Sequence, residues 1–211
     1  MNRVEVASEW VYSAVSDFYF AFCIQDWKFR KYATFFNILG AEKVCKSILL
    51  FHNDAIYARL SKHNARQRVE EEVKTRWQHS FKKMLKDIDG IIGDHKVKGI
   101  LSTSFDGFTG KQFVTILERG YMESRYPTAN PVYRLFWIKD TTGGAKLFFD
   151  PLESSGLHKF AYRLAQEILL YLRGKAIFRR LRQSIQQLVG KGDTGRRFTN
   201  LFFKGNVKSY F

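Results

Sequence analysis

Apolar residues recur at three-to-four-residue spacing through most of this chain. Trp10, Val11, Ala14, Val15, Phe18, Ala21 and Phe22 form the first stripe, behind Ser8, a residue of helix-capping type. The spacing predicts a helix from about 8 to 25. From Tyr32 to His52 the pattern widens, because Phe35, Phe36, Ile38, Leu39, Ala41, Val44, Cys45, Ile48, Leu49 and Leu50 cover most of the helical circumference. A helix apolar on most sides packs on several sides, so this one is expected at the centre. Val69, Val73, Trp77, Phe81, Met84, Leu85 and Ile88 make a third stripe, with Glu70 before Lys74 and Glu72 before Arg76 as favourable pairs one turn apart. It reads as a single regular helix.

Regularity is lost between roughly 89 and 110, where Gly90, Gly93, Gly99, Gly107 and Gly110 punctuate the chain. A short helix near 111–120 follows, with Phe113, Ile116 and Leu117 on one face. After Pro127 and Pro131, the β-prone segments 132–138 and 145–149 flank the turn-rich run Asp140-Thr141-Thr142-Gly143-Gly144, which predicts a β-hairpin. Ser154 or Ser155 can cap a last long helix striped by Leu157, Phe160, Ala161, Leu164, Ile168 and Leu172. The stripe can continue past Gly174 through Ile177, Leu181, Ile185 and Leu188. Beyond Gly190 the chain reads as a basic, aromatic tail.

Composition narrows the class. With 211 residues the chain fits one domain with insertions, or one domain and a tail, and it can bury a proper core. A hydrophobic content of 45% with only three prolines argues against general disorder. Cys23 and Cys45 sit among apolar helical neighbours and read as small core side chains of a reducing compartment, not as a disulfide. Cys and His show no metal-ligand spacing, and no Walker or dinucleotide pattern appears, so neither metal nor cofactor is expected. With no secretory-type start and no run of about eighteen apolar residues, the expectation is a soluble cytoplasmic protein. The net charge of +15 then points to a polyanionic partner. From Arg173 onward, ten Lys or Arg stand against one acid, Asp193.

Five segments suggest a family. Glu9-Trp10 opens an alanine-rich aromatic helix, and Phe35-Phe36-Asn37-Ile38-Leu39-Gly40 leads into Ala41-Glu42-Lys43-Val44-Cys45-Lys46. Trp77 to Leu85 begins a further helix, Tyr121-Met122-Glu123-Ser124-Arg125-Tyr126-Pro127 ends in Arg-Tyr-Pro, and Phe160 to Tyr171 closes the pattern. Over roughly 8–175 this resembles the HEPN domain: the Ala-Glu-x-x-x-Lys signature, the His-Asp-Leu-type start of a third helix, and the Arg-Tyr-Pro loop of one branch. The resemblance implies a mostly α, up-and-down helical bundle over 1–175, here with an inserted hairpin at about 131–151, followed by a basic helical extension over 176–211. It also implies a homodimer, or a nucleotidyltransferase-like partner, in a prokaryotic antiviral-defence or toxin–antitoxin system. Many HEPN proteins are metal-independent ribonucleases that carry Arg, four to six residues, then His on the last helix. That spacing is absent here, so the resemblance leans toward the members that bind nucleotides or RNA, and no catalytic residue is assigned.

The residues admit both structural and functional readings. Glu42 and Lys46, one turn apart, are either a surface ion pair or the lining of a cleft. Arg125 and Tyr126 either hold a loop before proline or offer a phosphate fork and a stacking ring. His79 and His158 read as capping or surface residues, with His158 the weaker alternative as a base. Arg179, Arg180, Arg182, Arg196, Arg197 and Lys204, with Phe178, Phe198, Phe202, Phe203, Tyr210 and Phe211 among them, form either a solvated helix with docked rings or a single-strand nucleic-acid surface. An anionic membrane surface is a third reading of 176–189. The expected function is RNA or nucleotide binding through Glu42, Lys46, Arg125 and Tyr126 together with these basic residues. The alternatives are a metal-independent ribonuclease using Arg125 or Arg163 with His158, and a structural subunit for an acidic protein.

Overall fold

A computed structural model of the chain describes residues 2–24, 30–54, 57, 65–93, 95–125, 136–139, 145–148, 155–173 and 175–203. Among these the protein is mostly helical. Helix α1 (Arg3–Cys23) starts earlier than the periodicity alone predicts. Asn2 supplies the reason: its side chain accepts from the Glu5 amide at 3.0 Å while the Glu5 side chain accepts from the Asn2 amide at 3.0 Å, a reciprocal capping box. Ser8 lies inside the helix, buried.

Helix α2 (Arg30–His52) is the enclosed element that the apolar circumference predicts. It packs most extensively on α1 and also meets the fourth and seventh helices described below. Gly40 permits the close approach to α1, because a methyl group there would stand 2.6 Å from the Phe18 ring.

The third stripe is two helices, not one: α3 (Ala65–Arg76) and α4 (Phe81–Ile92). Gln78 adopts φ +49°, and the Ser80 hydroxyl accepts from the Lys83 amide at 3.2 Å to start α4 afresh. Val69, Val73, Trp77, Phe81, Met84, Leu85 and Ile88 are nevertheless all buried, so the stripe crosses the break intact. Trp77 is locked there by its indole N–H, which donates to Asp87 at 3.0 Å.

Helix α5 (Lys96–Ser102) and a two-residue antiparallel pair, β1 (Ser104–Phe105) with β2 (Phe108–Thr109), occupy the region expected to be irregular. Asp106 and Gly107 both have positive φ, +52° and +89°, the turn geometry that Asp-Gly favours. Helix α6 (Gly110–Arg125) follows, and then strands β3 (Phe136–Lys139) and β4 (Ala145–Phe148), antiparallel with Phe136 opposite Phe148. The predicted second hairpin is therefore present, and its turn lies outside the described residues.

The last stripe is also interrupted. Helix α7 (Ser155–Leu172) ends before Gly174, and α8 (Ala176–Val189) and α9 (Asp193–Phe202) come after it. Ser155 sits in the first turn of α7 and donates its hydroxyl to Asp106 at 2.5 Å; Ser154 lies outside the described residues. The rings of Phe178, Phe198, Phe202 and Phe203 are buried. Phe202 lies 4.8 Å from Phe18 and 5.0 Å from Tyr162, and Phe198 lies 5.2 Å from Tyr19, centroid to centroid. These rings fill the core and are not available to stack on bases, which corrects that part of the single-strand surface. Tyr210 and Phe211 lie outside the described residues. No helix among the described residues is long and apolar enough to cross a membrane.

The two cysteines separate. Cys45 is fully buried, and burial pushes its thiol well above the ordinary range. Cys23 is exposed at the end of α1, contrary to its expected core position, because it lies about 200° around the helix from the buried Ala21. A maleimide added to the folded protein is expected to modify Cys23 and spare Cys45, and mass spectrometry after digestion reads the difference. Gly40→Ala is expected to lower stability by about 1–3 kcal/mol in urea unfolding, since Phe18 must leave its rotamer to admit the methyl.

Candidate functional site

Three elements and a turn enclose a cleft of about 670 Å³. Trp10 comes from α1; Leu39, Glu42, Lys43 and Lys46 from α2; Glu70, Val73 and Lys74 from α3; and Gln78 and His79 from the turn before α4. The break in the third stripe is what brings His79 to this place.

Glu42 is the hub. Its Oε1 accepts from Lys46 Nζ at 2.5 Å and lies 2.9 Å from His79 Nδ1. A carboxylate can only accept, so Nδ1 carries the hydrogen. Glu42 is 4% and Lys46 5% exposed, so the pair is an internal one and the surface reading is excluded. The second carboxylate oxygen, Oε2, is buried without a hydrogen-bond partner. Lys46 Nζ also stands 5.7 Å from the centroid of the Trp10 ring, within cation–π range. Beside it, Lys43 pairs with Asp17 at 2.6 Å, yet burial outweighs that cation and raises the Asp17 pKa above its usual value. The cleft therefore combines a spare acceptor, an aromatic ring and ammonium groups.

A smaller cavity of about 240 Å³ lies among α1, α2, α7 and α9 and includes Asn37, His158 and Arg163. His158 lines this cavity, and its Nδ1 lies 2.7 Å from Asn37 Nδ2. Arg163 pairs with Glu167 at 2.9 Å. Of the residues weighed for a ribonuclease site, Arg163 and His158 thus share one cavity, separate from the Glu42 cleft, while only the backbone of Arg125 is described.

The other expected residues fall elsewhere. Arg125 ends the described part of α6, where only its backbone is described, and Tyr126 and Lys204 lie outside the described residues. Arg179, Arg180 and Arg182 are exposed on α8, and Arg196 and Arg197 on α9; none of the five lines the cleft. Arg180 reaches Glu5 at 3.3 Å and Arg196 reaches Asp193 at 2.5 Å. Among the described residues no group of three His, Cys, Asp or Glu side chains could hold a metal ion. Trp10, Asn37 and His79 are site residues that periodicity did not single out as such. Asn37 carried a signal, being a polar residue inside the apolar circumference of α2.

No family model, curated protein or solved structure matches this chain. The HEPN resemblance accordingly rests on its motifs alone.

Removing one member of the internal pair leaves a buried charge without its partner. Glu42→Leu and Lys46→Met are each expected to cost about 3–5 kcal/mol in denaturant unfolding, and the double variant is expected to recover most of that loss.

Proposed function

We propose that this protein binds single-stranded RNA and takes one unpaired nucleotide into the cleft beside Glu42 and Lys46. The observation that carries the reading is the position of the Glu42–Lys46 pair: an internal ion pair at the wall of an open cleft, with Glu42 Oε2 unpartnered and the Trp10 ring alongside. A volume near 670 Å³ suits a ligand of nucleotide size. Trp10 offers a stacking face, Glu42 Oε2 an acceptor for a ribose hydroxyl or base amine, and exposed Lys74 a cation for phosphate.

The net charge of +15 favours a polyphosphate over a single small anion, and the exposed arginines of α8 and α9 supply sequence-independent attraction to its backbone. The stacking role assigned to the terminal rings passes to Trp10, since four of those rings are buried. The HEPN resemblance leads the same way, toward a member without the nuclease motif that works in a prokaryotic defence or toxin–antitoxin setting as a homodimer or beside a nucleotidyltransferase-like protein.

Fluorescence anisotropy with labelled single-stranded RNA tests the reading. Binding is expected to weaken steeply with salt, and the triple variant Arg179→Ala, Arg180→Ala, Arg182→Ala is expected to flatten the log–log salt slope by about 0.7 for each phosphate that is no longer neutralised. Trp10→Ala is expected to weaken binding by about 1–3 kcal/mol with little change in slope. The RNA should remain intact in EDTA. Cleavage abolished by His158→Ala would favour the ribonuclease instead, and no binding at low salt would leave the acidic-protein subunit.

A further inference from the structure

The 240 Å³ cavity lies on the other side of α2 from the Glu42 cleft. At about 100° per residue, Asn37 sits roughly opposite Lys46 around the helix axis. The cavity lining has two parts. Phe22, Tyr162 and Leu201 form apolar walls, and Lys159 and Arg163 stand half-exposed with their charged groups.

Asn37 makes this cavity a site. The residue is 1% exposed and lines the cavity, one end of its amide is held by His158 at 2.7 Å, and the other end, Oδ1, has no hydrogen-bond partner. With Nδ2 donating to His158 Nδ1, the unmatched atom is the acceptor Oδ1. Leaving such an atom unpaired costs free energy that a ligand group would recover. The Tyr162 hydroxyl, in the same lining, is likewise buried without a partner, and burial raises its pKa, so it remains a neutral phenol.

These features select among ligands. An acyl chain would suit the walls and leave Asn37 unmatched. A cationic amine would meet Lys159 and Arg163. A flat ring with a neutral amino group fits the walls and Oδ1 together, and an anionic substituent on it meets the cations. Lys159 and Arg163 already pair with Asp106 at 2.6 Å and with Glu167 at 2.9 Å, which hold them in place, and the Arg163 fork keeps further donors for a phosphate. We propose that this cavity is a second ligand site, specific for an amino-bearing nucleobase with its phosphate, in which Asn37 reads the base and Lys159 with Arg163 receive the phosphate. The nucleotide comes either free or as a flipped-out residue of RNA.

Calorimetry on the full chain with AMP, CMP, UMP and inorganic phosphate tests the site. AMP or CMP is expected to bind about tenfold or more tightly than UMP or phosphate, because only they offer the amino group. Arg163→Ala is expected to weaken that binding about tenfold. Leu201→Trp, at a position 55% exposed and so tolerant of a larger ring, is expected to plug the cavity and abolish it. Every arm is read in a Trp10→Ala background, which removes the stacking face of the other cleft; the binding that Leu201→Trp abolishes should persist there, which separates this site from the RNA reading above. If no mononucleotide binds, labelled RNA decides the source: a loss of affinity in Leu201→Trp that disappears with abasic RNA assigns the pocket to a flipped-out base. Equal binding of UMP or phosphate, AMP binding that survives Leu201→Trp, or no mononucleotide binding together with RNA affinity indifferent to Leu201→Trp overturns the proposal.

Discussion

Enclosing α2 leaves few partners for the polar groups it carries, and Thr34 Oγ1, Asn37 Oδ1 and Glu42 Oε2 are buried without one. A helix that meets α1, α4 and α7 at once has little solvent left, and yet Thr34, Asn37, Glu42, Lys46 and Ser47 are all buried on it. Ser47 returns its hydroxyl to the Val44 carbonyl at 2.7 Å, which is a local remedy. Glu42 and Lys46 neutralise one another across one turn. Asn37 has no remedy within its own helix and reaches α7 for His158. The two cavities open where these groups lie, so the enclosure of one helix and the location of both candidate sites have a common cause.

Charge and aromatic rings, interleaved in the sequence, are sorted by the fold. Along α8 and α9 the arginines face outward while Phe178, Phe198 and Phe202 face inward, because a helix of period 3.6 resolves neighbours in sequence onto different faces. The surface is left basic and the interior aromatic. Electrostatic attraction to a polyanion and stacking on a base are therefore supplied by different parts of the molecule: the first by α8 and α9, the second by Trp10 on α1.

Periodicity exposed most of the core, since burial follows the spacing of apolar residues whether or not the helix is continuous. Val73, Trp77 and Phe81 illustrate this, being buried on either side of a break that their spacing does not register. The break itself depends on Gln78 taking a left-handed conformation, which no single residue type announces. The Asp106-Gly107 turn had a legible signal that was hidden among the neighbouring glycines. Glu42 and Lys46 stood out because charge inside an apolar circumference is costly and therefore conspicuous. His79 and Asn37 did not, because their partners lie 37 and 121 positions away and only the fold brings them together.

Among the described helices, the first to be synthesised is covered by the last. Phe18 and Tyr19 on α1 find Phe198 and Phe202 only when residues beyond 193 have left the ribosome. Until then the nascent chain displays an aromatic surface meant for its own interior. Completion of the fold thus waits for α9 to emerge, and the emerging polypeptide is a natural client for chaperones that shield exposed rings.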